Sequence, residues 1–151
     1  MAPANGVYQN YVQGMMDGSQ SVDLDTNTIR CVLLKDSHTP NFDTHDFLND
    51  IPAADRAKTG TGYNPAVTSP QVNASNTDDS VLFGDNITSV SWTNVTSGVA
   101  CSGLAVFKSS GNTTQSPLIC VCSFTASVTA GGDTVTATLN ANGFFKASYQ
   151  T

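Results

Sequence analysis

Glutamate is missing altogether: all twelve acidic residues among the 151 are aspartate. Lysine and arginine together number six, which leaves a net charge of −6. That balance repels phosphate and excludes a basic nucleic-acid-binding face. Charged residues make up 12% of the chain, about half the usual quarter. No apolar run approaches the roughly 18 residues of a membrane span. The first ten residues, Met1 to Asn10, hold neither a basic stretch nor an apolar one, so no secretory signal is expected. Threonine, serine and asparagine stand where charge is missing, at 48 of 151 positions. Short polar side chains compete with helical hydrogen bonds, and threonine packs well on a pleated surface. A helical bundle or coiled coil is excluded on that ground. The expected fold is mainly β (α+β), an antiparallel β-sheet or sandwich with an N-terminal helix and one short helix. Residues 1–151 suit a single domain, with a helical arm at about 5–18 and a β-rich body at about 24–151.

The arm is read from Val7, Tyr8, Tyr11, Val12, Met15 and Met16, whose offsets of three and four share one helical stripe. Asn5 is the expected N-cap and Asp17-Gly18 the stop. The stripe suits either core packing or docking on a neighbouring subunit. Ile29-Arg-Cys-Val-Leu-Leu34 is apolar on both parities, as in a central strand. Thr44 is placed to cap a short helix carrying Phe47, Leu48 and Ile51, with Pro52 as its end. Residues 53–80 read mostly as loop, with an edge strand over Ala66 to Val72 because Pro70 bars it from a sheet interior. Strands then follow closely: Val81 to Phe83, Ile87 to Trp92, Val99 to Phe107, Leu118 to Val128, and Thr134 to Asn140. In the fourth of these, Leu118, Cys120, Cys122, Phe124, Ala126 and Val128 alternate. Asn142-Gly143 predicts a two-residue hairpin into a last strand from Phe144.

The four cysteines, Cys31, Cys101, Cys120 and Cys122, all lie in strand-like runs. They read as buried free thiols acting as small hydrophobes, in keeping with a reducing compartment. The densest group of reactive types is His38, Asp43, His45 and Asp46, but its spacing matches no zinc or hydrolase signature. Asp23-x-Asp25-x-Asn27 begins like a calcium loop, yet Thr28 stands where glycine is needed and Leu34 where glutamate is. Gly60-Thr-Gly62 and Gly131-Gly132 lack the Lys-Ser/Thr ending of a phosphate loop. No catalytic residue, metal ligand or cofactor-binding residue is expected, and no enzyme.

Charge is uneven along the chain. Eleven of the twelve aspartates lie between Asp17 and Asp85, whereas residues 86–151 carry only Asp133, Lys108 and Lys146. Either hydroxyls and amides keep that second half soluble, or other chains cover part of it.

Several markers in order resemble a set of tailed-bacteriophage structural proteins. They are Asp23-Leu-Asp-Thr-Asn-Thr-Ile29, Ser37-His-Thr-Pro-Asn-Phe-Asp-Thr-His-Asp-Phe47 and Gly60-Thr-Gly-Tyr63. Ser91-Trp-Thr-Asn94, Gly103-Leu-Ala-Val-Phe-Lys108, Ser116-Pro-Leu-Ile119 and Asn140-Ala-Asn-Gly-Phe144 complete them. Ser123 departs from the acidic residue expected after the Leu-Ile strand. The resemblance implies a virion component assembled in a bacterial cytoplasm. The leading expectation is a head decoration (cement) protein that binds the major capsid protein and copies of itself, with no nucleic-acid or membrane partner. A tail tube, adaptor or fibre-associated subunit is the alternative. A host-surface glycan-binding or hydrolytic domain built on His38, Asp43, His45 and Asp46 is a third. Interfaces favour tyrosine and phenylalanine, so Tyr8, Tyr11, Phe42 and Tyr63 are the expected interface anchors.

Overall fold

The computed structural model describes residues 5–20, 22–57, 70–75 and 80–148. Its regular elements, in chain order, begin with β1 (Gly6–Val7), α1 (Gln9–Asp17) and β2 (Ile29–Lys35). Next come β3 (Val72–Ser75), β4 (Ser80–Phe83), β5 (Ser89–Trp92) and β6 (Ala100–Lys108). The last are β7 (Leu118–Thr129), β8 (Val135–Thr138) and β9 (Phe145–Ser148). The expected mainly β, antiparallel architecture with an N-terminal helix is what forms. Four strands make one sheet in the order β1-β7-β6-β2; β3-β4-β9 and β5-β8 form two smaller sheets.

β2 runs antiparallel to β6 from Ile29 opposite Lys108 to Leu34 opposite Gly103. Cys31 to Leu34 are buried on both faces, as are Cys101 to Phe107 of β6. β2 is nevertheless terminal in its sheet and not central as expected. A terminal strand can be apolar on both faces only if its outer edge is hidden and its polar groups are bonded. Both conditions are met. The buried Trp92 indole N–H donates to the Cys31 carbonyl at 3.1 Å, and the Ala57 N–H donates to the Leu33 carbonyl at 2.9 Å. Arg56 bridges to Leu34 alongside them.

β5 and β8 lie within two of the strands expected from the sequence and alternate with period two. Val90, Trp92, Val135 and Ala137 face the core, while Ser91 and Thr136 face solvent and share a hydroxyl hydrogen bond of 2.8 Å. β3 starts after Pro70 instead of before it; the rest of the strand expected at 66–72 lies largely outside the described residues. Asn142-Gly143 does form a turn, closed by the Gly143 N–H on the Asn140 carbonyl at 3.1 Å. It does not make a hairpin, because β8 pairs with β5 and β9 with β4. Aromatic packing directs the exit: Phe83 meets the Phe144 and Phe145 rings at 5.5 and 5.4 Å. Gly143 (φ 69°) lies so close to Phe83 and Gly84 that a Cβ would come within 2.4 Å of their backbone.

Two helical expectations need correction. Asn5 is not the N-cap of α1: residues 6 and 7 pair with Val121 and Cys120 as β1, and the helix starts at Gln9. Its end at Gly18 (φ 73°) is as expected. Only Tyr8, Tyr11 and Gly14 face inward, and Gly14 is pressed on Gln20, where a Cβ would sit 2.1 Å from that side chain. Thr44 caps no α-helix either. Asn41 accepts the Asp43 and Thr44 N–H groups, and Leu48–Asp50 and Ala53–Asp55 are single 3-10 turns on either side of Pro52. Asp50 takes the Asp46 and Phe47 N–H groups at 2.9 and 2.8 Å, a contact that starts the turn, but Ile51 before Pro52 is extended (φ −80°, ψ 112°) and no α-helix propagates.

Replacing Trp92 by phenylalanine keeps a ring in the seam but strands the Cys31 carbonyl. Urea denaturation followed by circular dichroism should read a loss of about 1–3 kcal/mol, the cost of an unsatisfied buried group.

Candidate functional site

The end of β2 delivers His38 to a buried corner. Its side chain is almost wholly enclosed, at 2% exposure. Nδ1 lies 3.4 Å from an Asp55 carboxylate oxygen, and the Ser37 hydroxyl donates to the other oxygen at 3.0 Å. The His45 ring stacks on His38 with centroids 5.7 Å apart. Nε2 of His38 is buried with no hydrogen-bond partner. Burial pushes the His38 pKa below its ordinary value; the Asp55 carboxylate opposes this and the His45 ring adds to it.

The other two residues of the expected cluster serve the loop. Asp43 is exposed and its N–H is bonded to Asn41. The Asp46 carbonyl accepts the Leu118 N–H at 2.9 Å, tying the loop to β7. The structure therefore joins His38 and His45 with Asp55, which arrives on the second 3-10 turn and which sequence spacing did not single out. Among the described residues no three His, Cys or Asp side chains gather as a metal ion requires.

The acidic turn at Asp23 is likewise structural. Asp23 accepts the Asp25 and Thr26 N–H groups at 3.0 and 3.2 Å. Asp25 reaches the Val72 N–H at 2.8 Å and fastens this turn to β3. All four thiols are free, Cys122 half-buried and the others buried. Burial raises the Cys31 and Cys120 pKa values, and pushes Cys101 up to about 11. The Cys120 thiol hydrogen-bonds Cys122 and lowers its pKa, while Cys122 donates to the Phe144 carbonyl at 3.2 Å.

A groove among the described residues lies elsewhere. β7 alternates as expected only in part, because its register with β6 slips. Gly103 pairs with Ser123 and Cys101 with Val128, so Ser102 alone stands opposite residues 124–127. Such a bulge bends a strand and lifts it from the sheet. Leu118 to Val121 are buried on both faces, whereas Thr125 to Thr129 are exposed. Between this lifted segment and β8 opens a half-enclosed groove of about 720 Å3. Leu104, Val121, Phe124 and Phe144 give it an apolar floor, and Asn140, Asn142 and Lys146 lie along it. That volume falls within the ~300–1,000 Å3 of typical binding pockets.

A second uncovered surface is the outer face of α1, where Val12, Met15 and Met16 are 41%, 50% and 86% exposed. The expected tyrosine anchors are not on it. Tyr8 and Tyr11 are core residues, and half-buried Phe42 packs on Tyr8 at 5.2 Å. Tyr63 lies outside the described residues. The stripe was legible in the sequence, but which of its six members would face outward was not.

Compared with family models, curated proteins and solved structures, the chain matches none. The likeness to bacteriophage structural proteins rests on the short motifs alone.

Because the His38 pKa is depressed on folding, the unfolded chain binds this proton more tightly. His38 therefore contributes full stability above its unfolded pKa of about 6.5 and loses it as pH falls toward the folded value. The urea midpoint should drop between about pH 7.5 and about pH 5.5, and His38→Gln should flatten that drop.

Proposed function

We propose that this chain is a non-catalytic virion component, a tailed-bacteriophage head decoration protein that binds the major capsid protein lattice and braces it. The observation that carries the reading is the pair of uncovered surfaces, the groove under the lifted end of β7 and the methionine face of α1. Monomeric proteins rarely leave large contiguous apolar patches bare, and those that remain usually mark contact sites. The groove lies in the half of the chain that has only three charged residues. The motifs from Asp23 to Phe144 add the phage context. Mechanistically, a rigid sheet would span joints between capsid subunits, and many weak contacts would add through avidity. Virion localisation and partnership with the major capsid protein and other copies of the chain belong to this reading.

A tail location is the alternative, and copy number separates the two. Mass spectrometry of purified particles should count on the order of hundreds of copies for a shell protein, against about a dozen or fewer for a tail part. The hydrolytic reading has less support, since the carboxylate beside His38 is that of Asp55 and not of Asp43 or Asp46.

Heads lacking the protein should rupture at lower temperature in a DNA-release assay and regain stability when it is added back. Equal rupture temperatures with and without it would overturn the head assignment.

A further inference from the structure

The two uncovered surfaces are complementary. Val12, Met15 and Met16 stand at i, i+3 and i+4 on α1, the spacing with which a helix anchors itself in an apolar groove. Methionine is flexible and makes favourable contacts with aromatic rings. The groove offers Phe124, Phe144 and Phe145 among its lining residues. Neither surface can satisfy the other within one molecule. α1 is fixed by its own buried face, through Tyr11 and Gly14 and through the Tyr8 N–H bonded to the Ile119 carbonyl at 3.0 Å. Its methionines look outward, and no residue of α1 lines the groove.

Charge points the same way. Asp17 ends the methionine helix, and exposed Lys146 lies on the groove. Residues 1–85 carry eleven Asp against four Lys and Arg, whereas residues 86–151 carry two Lys against one Asp. Joining helix to groove brings the Asp17 end of one copy to the side of the next that carries Lys146. A two-fold contact between like surfaces would oppose acid to acid or gain nothing.

We propose that copies of this chain associate head to tail, with the Val12–Met15–Met16 face of one seated in the groove between β7 and β8 of its neighbour. The inference rests on the reading of both surfaces as contact sites and names their occupant. The contact is heterologous, so a joined pair keeps one free groove on one copy and one free helix on the other, and the association is open-ended unless the rotation closes a ring. Three anchoring side chains fall well short of the roughly 800 Å2 per partner of a stable complex. Self-association in solution is therefore weak, and a lattice that holds the copies side by side strengthens it.

The test uses purified full-length protein without particles, so its failure is separate from failure of the head assignment. Sedimentation equilibrium from about 10 μM to about 1 mM covers the affinity expected of so small an interface. Wild type should show average mass rising continuously with concentration. Met16→Asp and Ala126→Glu, both at exposed positions, should each remain monomeric with unchanged circular dichroism. An equimolar mixture of the two should form 1:1 dimers and stop there, since each variant retains one intact surface. Three results would overturn the proposal: a wild type monomeric throughout, self-association untouched by both substitutions, or variants that fail to rescue one another as in a two-fold contact.

Discussion

The outer edge of β2 is the constraint on which the main sheet turns. A strand buried on both faces at the end of a sheet would expose carbonyls that neither water nor a neighbouring strand could reach. Here an indole and one stretch of backbone take that place: Trp92 at Cys31 and Ala57 at Leu33. The indole comes from β5, so one hydrogen bond satisfies the edge of the large sheet and locks the β5-β8 sheet onto it. The chain's single tryptophan is thus both a core side chain and a substitute for a fifth strand.

The opposite side of the sheet is treated differently. β1 pairs with β7 only at Cys120 and Val121, Asn5 then accepts the Ser123 N–H, and beyond that point β7 bulges outward. No strand among the described residues is registered against positions 124–127. The side with the hidden edge carries the histidine corner, while the lifted side carries the groove, with Lys146 along it and Asp36 bonded to Ser127 of β7. One margin of the sheet is closed and the other open.

Much of the fold was legible because it is local. Strands β5 and β8 lie within strand-forming runs of the sequence, and the end of α1 follows from Gly18. The errors came from partners far away in sequence. Val7 looked helical until Cys120 claimed it for a strand, and Asn142-Gly143 looked like a hairpin until Phe83 drew Phe144 and Phe145 to β4. The trio Phe47, Leu48 and Ile51 cannot distinguish an α-helix from two 3-10 turns; the extended Ile51 before Pro52 separates the turns. For the candidate site, His38 and His45 were visible as a pair. Asp55 was not, because a turn 17 residues further along the chain brings it there. The groove leaves no residue signature at all, since it arises from a register slip opposite Ser102.

The pairing of Ile29 with Lys108 and of Gly6 with Val121 sets a timetable for birth on the ribosome. β2 emerges early and finds its partner only after about eighty more residues have been made, which at 5–20 residues per second is on the order of ten seconds. Throughout that interval the most apolar strand of the protein has both faces bare and no sheet to join. Its first helper, the Arg56–Ala57 backbone, follows soon, but Trp92 appears only shortly before β6 itself. A nascent chain crowded among identical siblings is then at its most vulnerable to wrong pairing. The faster such chains are made side by side, the more often two bare β2 segments meet within that delay.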